Sequence, residues 1–259
     1  MKKILYSVAL AACCMGTMTS CSDFLDASNK SNVTAKQSFA TKEGLNNLVN
    51  NAYQHLQNVY AAPLFTSCFS AGTDMYADAR NKMNEALNTY ETLTPENTDI
   101  KNLYTYLYSG IRAANSVSYY AQTAQVDDKT KGQLVGEARV LAAYEYYLLV
   151  NNFGGVPIMK DFLTTADTGY PKSSAAEVYA YIISELEDVI GKNVLQASTA
   201  TKGGGRISQE TAKAILAKTY LSAAWDLNKQ EYFSKAATLA DEVIAGRRLT
   251  TPFAKLWKA

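Results

Sequence analysis

EARVLAAYEYYLLVNNFGGVPI, residues 137–158, is the stretch on which the fold turns. From Val140 to Val150 it is apolar nearly all round, the pattern of a helix buried among other helices and not of one lying on a surface. Gly154 and Gly155 end it, because glycine readily takes the left-handed backbone conformation found at helix C-termini. Val156, preceding Pro157, is biased toward extended geometry. A central helix leaving through a defined turn needs neighbours to cover it.

The flanking sequence supplies them. Upstream, Asp127 and Asp128 open the same helix, with Leu134, Ala138 and Leu141 continuing its apolar positions. Leu45, Leu48, Val49, Ala52, Tyr53, Leu56, Val59 and Tyr60 recur at steps of three and four, an amphipathic helix. Another is expected from about Asp99 to Gln122, with Leu103, Leu107, Ile111, Ala114 and Val117 on one side. Downstream, Ser173 or Ser174 caps a helix ending near Gly191, and Ser208 caps the next, with Glu210 in its first turn. A last one runs from about Glu231 to Ala245. No strand run of comparable length is present, so the fold class is all-α, built of antiparallel helix pairs. Residues 61–97, with Pro63, Gly72 and Pro95 and no sustained period, read as a long loop with short helical pieces, the kind of segment that often carries function.

The N-terminus gives an address. In MKKILYSVALAACCMGTMTSCSDFLD, Lys2 and Lys3 precede an apolar run from Ile4 to Met18, and small Thr19 and Ser20 lead into Cys21, a signal peptide pattern. The cysteine at that junction resembles a bacterial lipobox, with Met18 where leucine is usual, and makes Cys21 the candidate lipidation site. An ordinary secretory signal that retains Cys21 is a second reading. A membrane-spanning anchor fits less well, since the apolar run is interrupted and short of the roughly 20 residues a spanning helix needs. The expected organisation is a signal over 1–20, a lipidated tether over 21–40 and a helical domain over 41–259.

The 259 residues carry a formal charge of +1, and losing the first 20 leaves 23 basic against 24 acidic side chains. Nucleic acid is therefore not an electrostatic partner. Cys13 and Cys14 fall in the signal and Cys21 at the lipid site, so Cys68 stands alone without a disulfide partner. With a single histidine, His55, read as a surface residue of its helix, there is no zinc constellation, and no cofactor is expected. The unusual feature is aromatic: 18 Tyr against 2 Trp and 8 Phe, rings that suit both helix packing and stacking on sugars.

Residues 137–158 resemble the signature helix and turn of the SusD/RagB family, outer-membrane nutrient-binding lipoproteins of Bacteroidetes, through Glu137, Leu141, Ala143, Tyr146, Leu149, Phe153, Gly154, Val156 and Pro157. Ala142 stands where that pattern has arginine. Three other segments agree: Tyr104, Tyr108, Ile111 and Asn115 at the family's spacing; Gly205-Arg206-Ile207 followed by Ala212, Ala214, Leu216, Ala217, Tyr220 and Leu221; and the Cys21-Ser22-Asp23-Phe24-Leu25-Asp26 start.

The resemblance implies a SusD-like fold with degenerate tetratricopeptide-like helix pairs. It also implies a cell-surface, lipid-anchored outer-membrane protein that captures an oligosaccharide or other nutrient for a SusC-like TonB-dependent transporter. The family places part of its ligand site in the region of loop 66–97, which makes Asp74, Tyr76, Asp78, Arg80, Asn81 and Tyr90 the candidate binding residues, with Tyr76 and Arg80 foremost. Enzymatic readings lack their parts. Asp74 and Asp78 have no surroundings that mark one as acid and one as base, Lys202-Gly203-Gly204-Gly205-Arg206 lacks the Gly-Lys-Ser/Thr of a phosphate loop, and no nucleophile-elbow motif accompanies His55. Because family members are considerably longer, the alternative expectation is a non-binding helical scaffold or transporter lid, or a truncated member keeping only the helical core.

Overall fold

A computed structural model describes residues 34–61, 64–76, 85–165, 169–197, 205–245 and 255. A first unit ends at Ser38, and its described part is the one-turn helix α1 (Ala35–Ser38). The second unit begins at Phe39 and holds helices α2 (Lys42–Tyr60), α3 (Leu64–Phe69), α4 (Glu85–Thr89), α5 (Thr98–Ala121), α6 (Asp128–Phe153), α7 (Ala175–Lys192), α8 (Gln209–Asp226) and α9 (Gln230–Ile244). Outside the helices, the described residues pair in one isolated bridge, Gln196 with Ser208. The protein is all-α, and the expected signal peptide and Cys21 lie outside the described residues.

Local chemistry sets the helix ends where the sequence puts them. Thr41, Asn97, Asp127, Ser174 and Ser208 each accept first-turn backbone N–H groups, satisfying donors that a helix start otherwise leaves unpaired. At Ser174 the arrangement is reciprocal, a capping box in which the Glu177 carboxylate accepts the Ser174 backbone N–H at 2.7 Å. α6 stops at Gly154, whose φ of +68° an L side chain rarely adopts. Gly155 serves a different purpose: a β-carbon there would collide with the Ser173 carbonyl, so its absence lets the start of α7 close over the turn.

α6 is the axis of the bundle. It packs on α5 and α2 on one side and on α7 on the other, while α8 continues from α7 and pairs with α9. The connections between α5 and α6 and between α8 and α9 are short, which forces antiparallel pairing. Leu141, Tyr146, Leu149, Leu107, Ile111, Val49, Ile182 and Leu186 are essentially sealed from solvent and form one continuous core. Ala142 is buried with them. On the α7 side, Arg139 clamps Glu185 at 2.7 Å and Asp188 at 2.5 Å.

Two acidic residues of α6 are fully buried, and their environments differ. Glu137 is ion-paired, as described below. Glu145 has 0% exposure, neither carboxylate oxygen has a hydrogen-bond partner among the described residues, and burial raises its pKa well above the ordinary carboxylate value. Its carboxyl group lies against the α-carbon of Gly110 on α5, where any β-carbon would clash with it. Cys68 is half-buried and free, its thiol pushed up to about 11 by burial and by Asp99, which makes it a packing residue and not a nucleophile. His55 departs from the surface role expected of it. It is partly buried, its Nδ1 is enclosed without a hydrogen-bond partner among the described residues, and burial lowers its pKa.

Candidate functional site

The residues of the tyrosine motif turn out to be braces for the turn that follows α6. The Tyr108 hydroxyl donates to the Pro157 carbonyl at 2.7 Å, and the Asn115 amide donates to the Met159 carbonyl at 2.9 Å. From α6 itself, the Tyr146 hydroxyl accepts the Met159 N–H at 2.7 Å. Tyr104 packs edge-on against Phe153, ring centres 5.2 Å apart. Burial raises the pKa of both Tyr108 and Tyr146, keeping their hydroxyls protonated. Spacings of four and seven along α5 thus place three side chains on one face, aimed at one segment.

The Gly205-Arg206-Ile207 segment is held by a second network. Arg206 Nε meets the Glu137 carboxylate at 2.7 Å, and that carboxylate has no exposure. Glu137 also accepts from the Tyr53 hydroxyl and from the Gln133 amide, each at 3.2 Å. The other guanidinium nitrogens of Arg206 reach Asn50 at 3.0 Å and Asn46 at 3.2 Å on α2. The Ile207 N–H completes the set by donating to the Tyr53 oxygen at 2.7 Å. One arginine therefore ties α2, α6 and the entry to α8 together.

These braces hold the scaffold, and the candidate binding residues lie on the loop beside it. Asp74 is exposed, and Tyr76 is half-buried with its backbone N–H on the Thr73 carbonyl at 3.2 Å. Tyr90 comes from the far side of the loop, yet its hydroxyl reaches the Gly72 carbonyl at 3.4 Å, and the Gly72 N–H in turn donates to the Asn88 side chain at 3.4 Å. Both joints need unusual backbone: Gly72 has φ +74° and Tyr90 φ +64°. Segments 70–76 and 85–90 are thereby fastened to each other, with Tyr90 58% exposed. Asp78, Arg80 and Asn81 lie outside the described residues. Chemically, the described part offers a phenol ring and a carboxylate open to solvent, which suits hydrogen bonding and stacking on a polar ligand. Among the described residues no group of three or more His, Cys, Asp or Glu side chains could hold a metal ion, and no helix is long and apolar enough to cross a membrane.

An aromatic cluster that sequence reasoning missed adjoins α3. Phe65 packs on Phe69 at 5.3 Å and on Tyr60 at 5.4 Å, and the Tyr60 hydroxyl hydrogen-bonds that of Tyr144, whose ring stacks on Tyr147 at 6.0 Å. Tyr60 and Phe65 remain 41% and 37% exposed. Tyr60 belongs to the period of α2 and Phe65 and Phe69 stand four apart, but the break at Pro63 hides that these two sets meet.

Comparison with known proteins accounts for this arrangement. Residues 23–221 match the SusD-like family model described as "Starch-binding associating with outer membrane". SusD-like protein P38 of Formosa agariphila is 28% identical over 179 residues, which cover 67% of this chain and 34% of that protein. Surface glycan-binding protein A from Bacteroides uniformis superposes with a TM-score of 0.69 at 27% identity, covering 83% of this chain and 49% of that one. A SusD homolog from Bacteroides thetaiotaomicron shares the fold, with a TM-score of 0.72 at 21% identity over 88% of this chain and 45% of the other. The chain thus spans about half the length of the solved relatives and about a third of P38. With the family model covering most of its length and the same helical scaffold beneath its motifs, this chain belongs to the SusD-like family.

Proposed function

We propose that the chain is a cell-surface glycan- or nutrient-binding lipoprotein, anchored in the outer membrane through Cys21 and passing oligosaccharide to a SusC-like TonB-dependent transporter. Its organisation is then a signal peptide, a short lipidated tether and the SusD-like helical domain. The observation that carries this reading is the family match over residues 23–221, joined to the likeness to a surface glycan-binding protein. Capture here is binding without bond-making. Asp74, Tyr76 and Tyr90, with Asp78, Arg80 and Asn81 of the same loop, are the residues assigned to it, using ring faces against sugar C–H surfaces and polar groups against hydroxyls. The lipid confines the protein to the membrane plane and so raises its effective concentration at the transporter mouth.

Affinity electrophoresis against a panel of neutral polysaccharides tests this reading. Retardation by at least one glycan, lost in Tyr76→Ala, is the expected result. No retardation on any glycan refutes capture by this chain. A second reading, a scaffold or transporter lid that binds no glycan, draws on the fact that the chain spans about half of its solved relatives. Co-purification of a large outer-membrane barrel without glycan retardation would select it.

A further inference from the structure

A cavity of about 360 Å³ opens between α2 and α5, with no residue of loop 66–97 in its lining. Three half-buried rings border it, Phe39, Tyr120 and Phe162, with centres 4.8 Å apart for the first pair and 5.9 Å for the second. Arg112 is the one charged residue in the lining, and its guanidinium lies over the Phe162 ring at 5.1 Å. It makes no ion pair among the described residues. A guanidinium stacked in this way keeps its planar N–H edges available, in the fork geometry that matches a carboxylate or sulfate. Asn51 and His55 of α2 line the opposite side. The His55 Nδ1 is itself enclosed, so its ring meets the cavity through its other atoms. The volume falls within the range of small-molecule sites, roughly 300–1,000 Å³.

We propose that this cavity is a subsite for a sugar residue bearing a carboxylate or sulfate, its ring resting on the aromatic border and its anion on Arg112. Aromatic rings favour the C–H face of a sugar, an arginine with no ion pair among the described residues favours the anion, and the lining contains no carboxylate to repel it. Asn51 supplies hydrogen bonds to hydroxyls. The choice of a sugar as carrier of the anion rests on the glycan-capture reading; the site itself does not.

Isothermal titration of the full chain with sodium D-glucuronate, D-glucose and sodium sulfate tests the proposal. Glucuronate is expected to bind with a Kd on the order of 1 mM, with glucose and free sulfate at least ~10-fold weaker. Arg112→Gln should weaken glucuronate by about 10-fold, Arg112→Lys by less, and added salt should weaken the wild type. Arg112 is exposed, and circular dichroism confirms that the variants fold. Glucose binding as tightly as glucuronate, unchanged affinity in Arg112→Gln, or no binding at about 20 mM glucuronate overturns the proposal. Sulfate binding as tightly as glucuronate overturns the part that names a sugar. Glucuronate binding that persists in Tyr76→Ala separates this subsite from the loop, so failure of neutral-glycan capture and failure of this site are read independently.

Discussion

Replacing Arg206 by alanine removes the only charge facing the Glu137 carboxylate among its described contacts, and the cost follows from the geometry. Glu137 has no exposed surface, whereas the Arg206 side chain keeps 26% of its own. Breaking a buried ion pair from one side typically costs 3–5 kcal/mol, because the remaining charge is neither solvated nor paired. Here the loss is moderated, since Tyr53 and Gln133 still donate to the carboxylate and the pair is partly open at the arginine end. About 2–4 kcal/mol is expected for Arg206→Ala, against about 0–1 kcal/mol for an ordinary surface arginine. Urea denaturation followed by circular dichroism measures it, as a lower midpoint at unchanged slope. The decisive comparison is the double variant Glu137→Gln/Arg206→Ala. Neutralising Glu137 removes the stranded charge, so the double variant should be more stable than Arg206→Ala alone by about 1–3 kcal/mol. A single-variant loss below about 0.5 kcal/mol, or strictly additive effects in the double variant, would show that the pair is a solvated contact and refute the reasoning.

Three other outcomes follow from features already described. Glu145→Gln should remove a pH dependence: the folded-state pKa of Glu145 lies above its ordinary value of 4.5, so wild-type stability is fully present below that value and falls as pH rises toward the folded pKa. The wild type should therefore lose stability relative to Glu145→Gln by up to about 1.4 kcal/mol per pH unit above that point, and parallel curves from pH 4 to 8 would contradict it. Gly110→Ala should destabilise by about 1–3 kcal/mol or more because its methyl meets the Glu145 carboxyl, with partial recovery in Gly110→Ala/Glu145→Ala by thermal melting. Cys21→Ser should move the protein from the membrane fraction to the soluble one on ultracentrifugation, and continued membrane retention would sink the lipid anchor.

How much of this could be read from the chain depends on the range of the interactions. Helix positions follow from local signals. Periods of three and four placed α2, α5 and α7, while Asp127, the Ser173/Ser174 pair and Ser208 marked starts that the structure reproduces as capping hydrogen bonds, with Ser174 the cap of the pair. Gly154 announced its own turn through the backbone freedom it alone supplies. The roles of motif residues were less legible. Tyr108 and Asn115 look like any half-polar helix positions until the Pro157 and Met159 carbonyls are brought beside them by the fold. Arg206 follows a glycine run that reads as a flexible connection, and nothing near it in sequence names Glu137 as its partner. His55 reads as a surface residue because its helix face is polar in sequence, yet the fold leaves it half-buried. At the loop, the residue types were visible, but the fastening of Tyr90 to Gly72 needed two left-handed backbone positions that no spacing rule predicts.

The Arg206 network also bears on the order in which the chain comes together. Its contacts with α2 join residues 154 to 160 positions apart, far longer than the neighbouring helix pairings between α5 and α6 or α8 and α9. Contacts of that separation carry a large loop-closure entropy and are reached late, after locally connected elements have formed. A chain that emerges from its N-terminus first must therefore hold α2 by its apolar face and by the Tyr53–Glu137 and Tyr60–Tyr144 hydrogen bonds until residue 206 arrives. The bolt closes a bundle already assembled, so its removal should be felt chiefly as faster unfolding, with the rate of folding little changed.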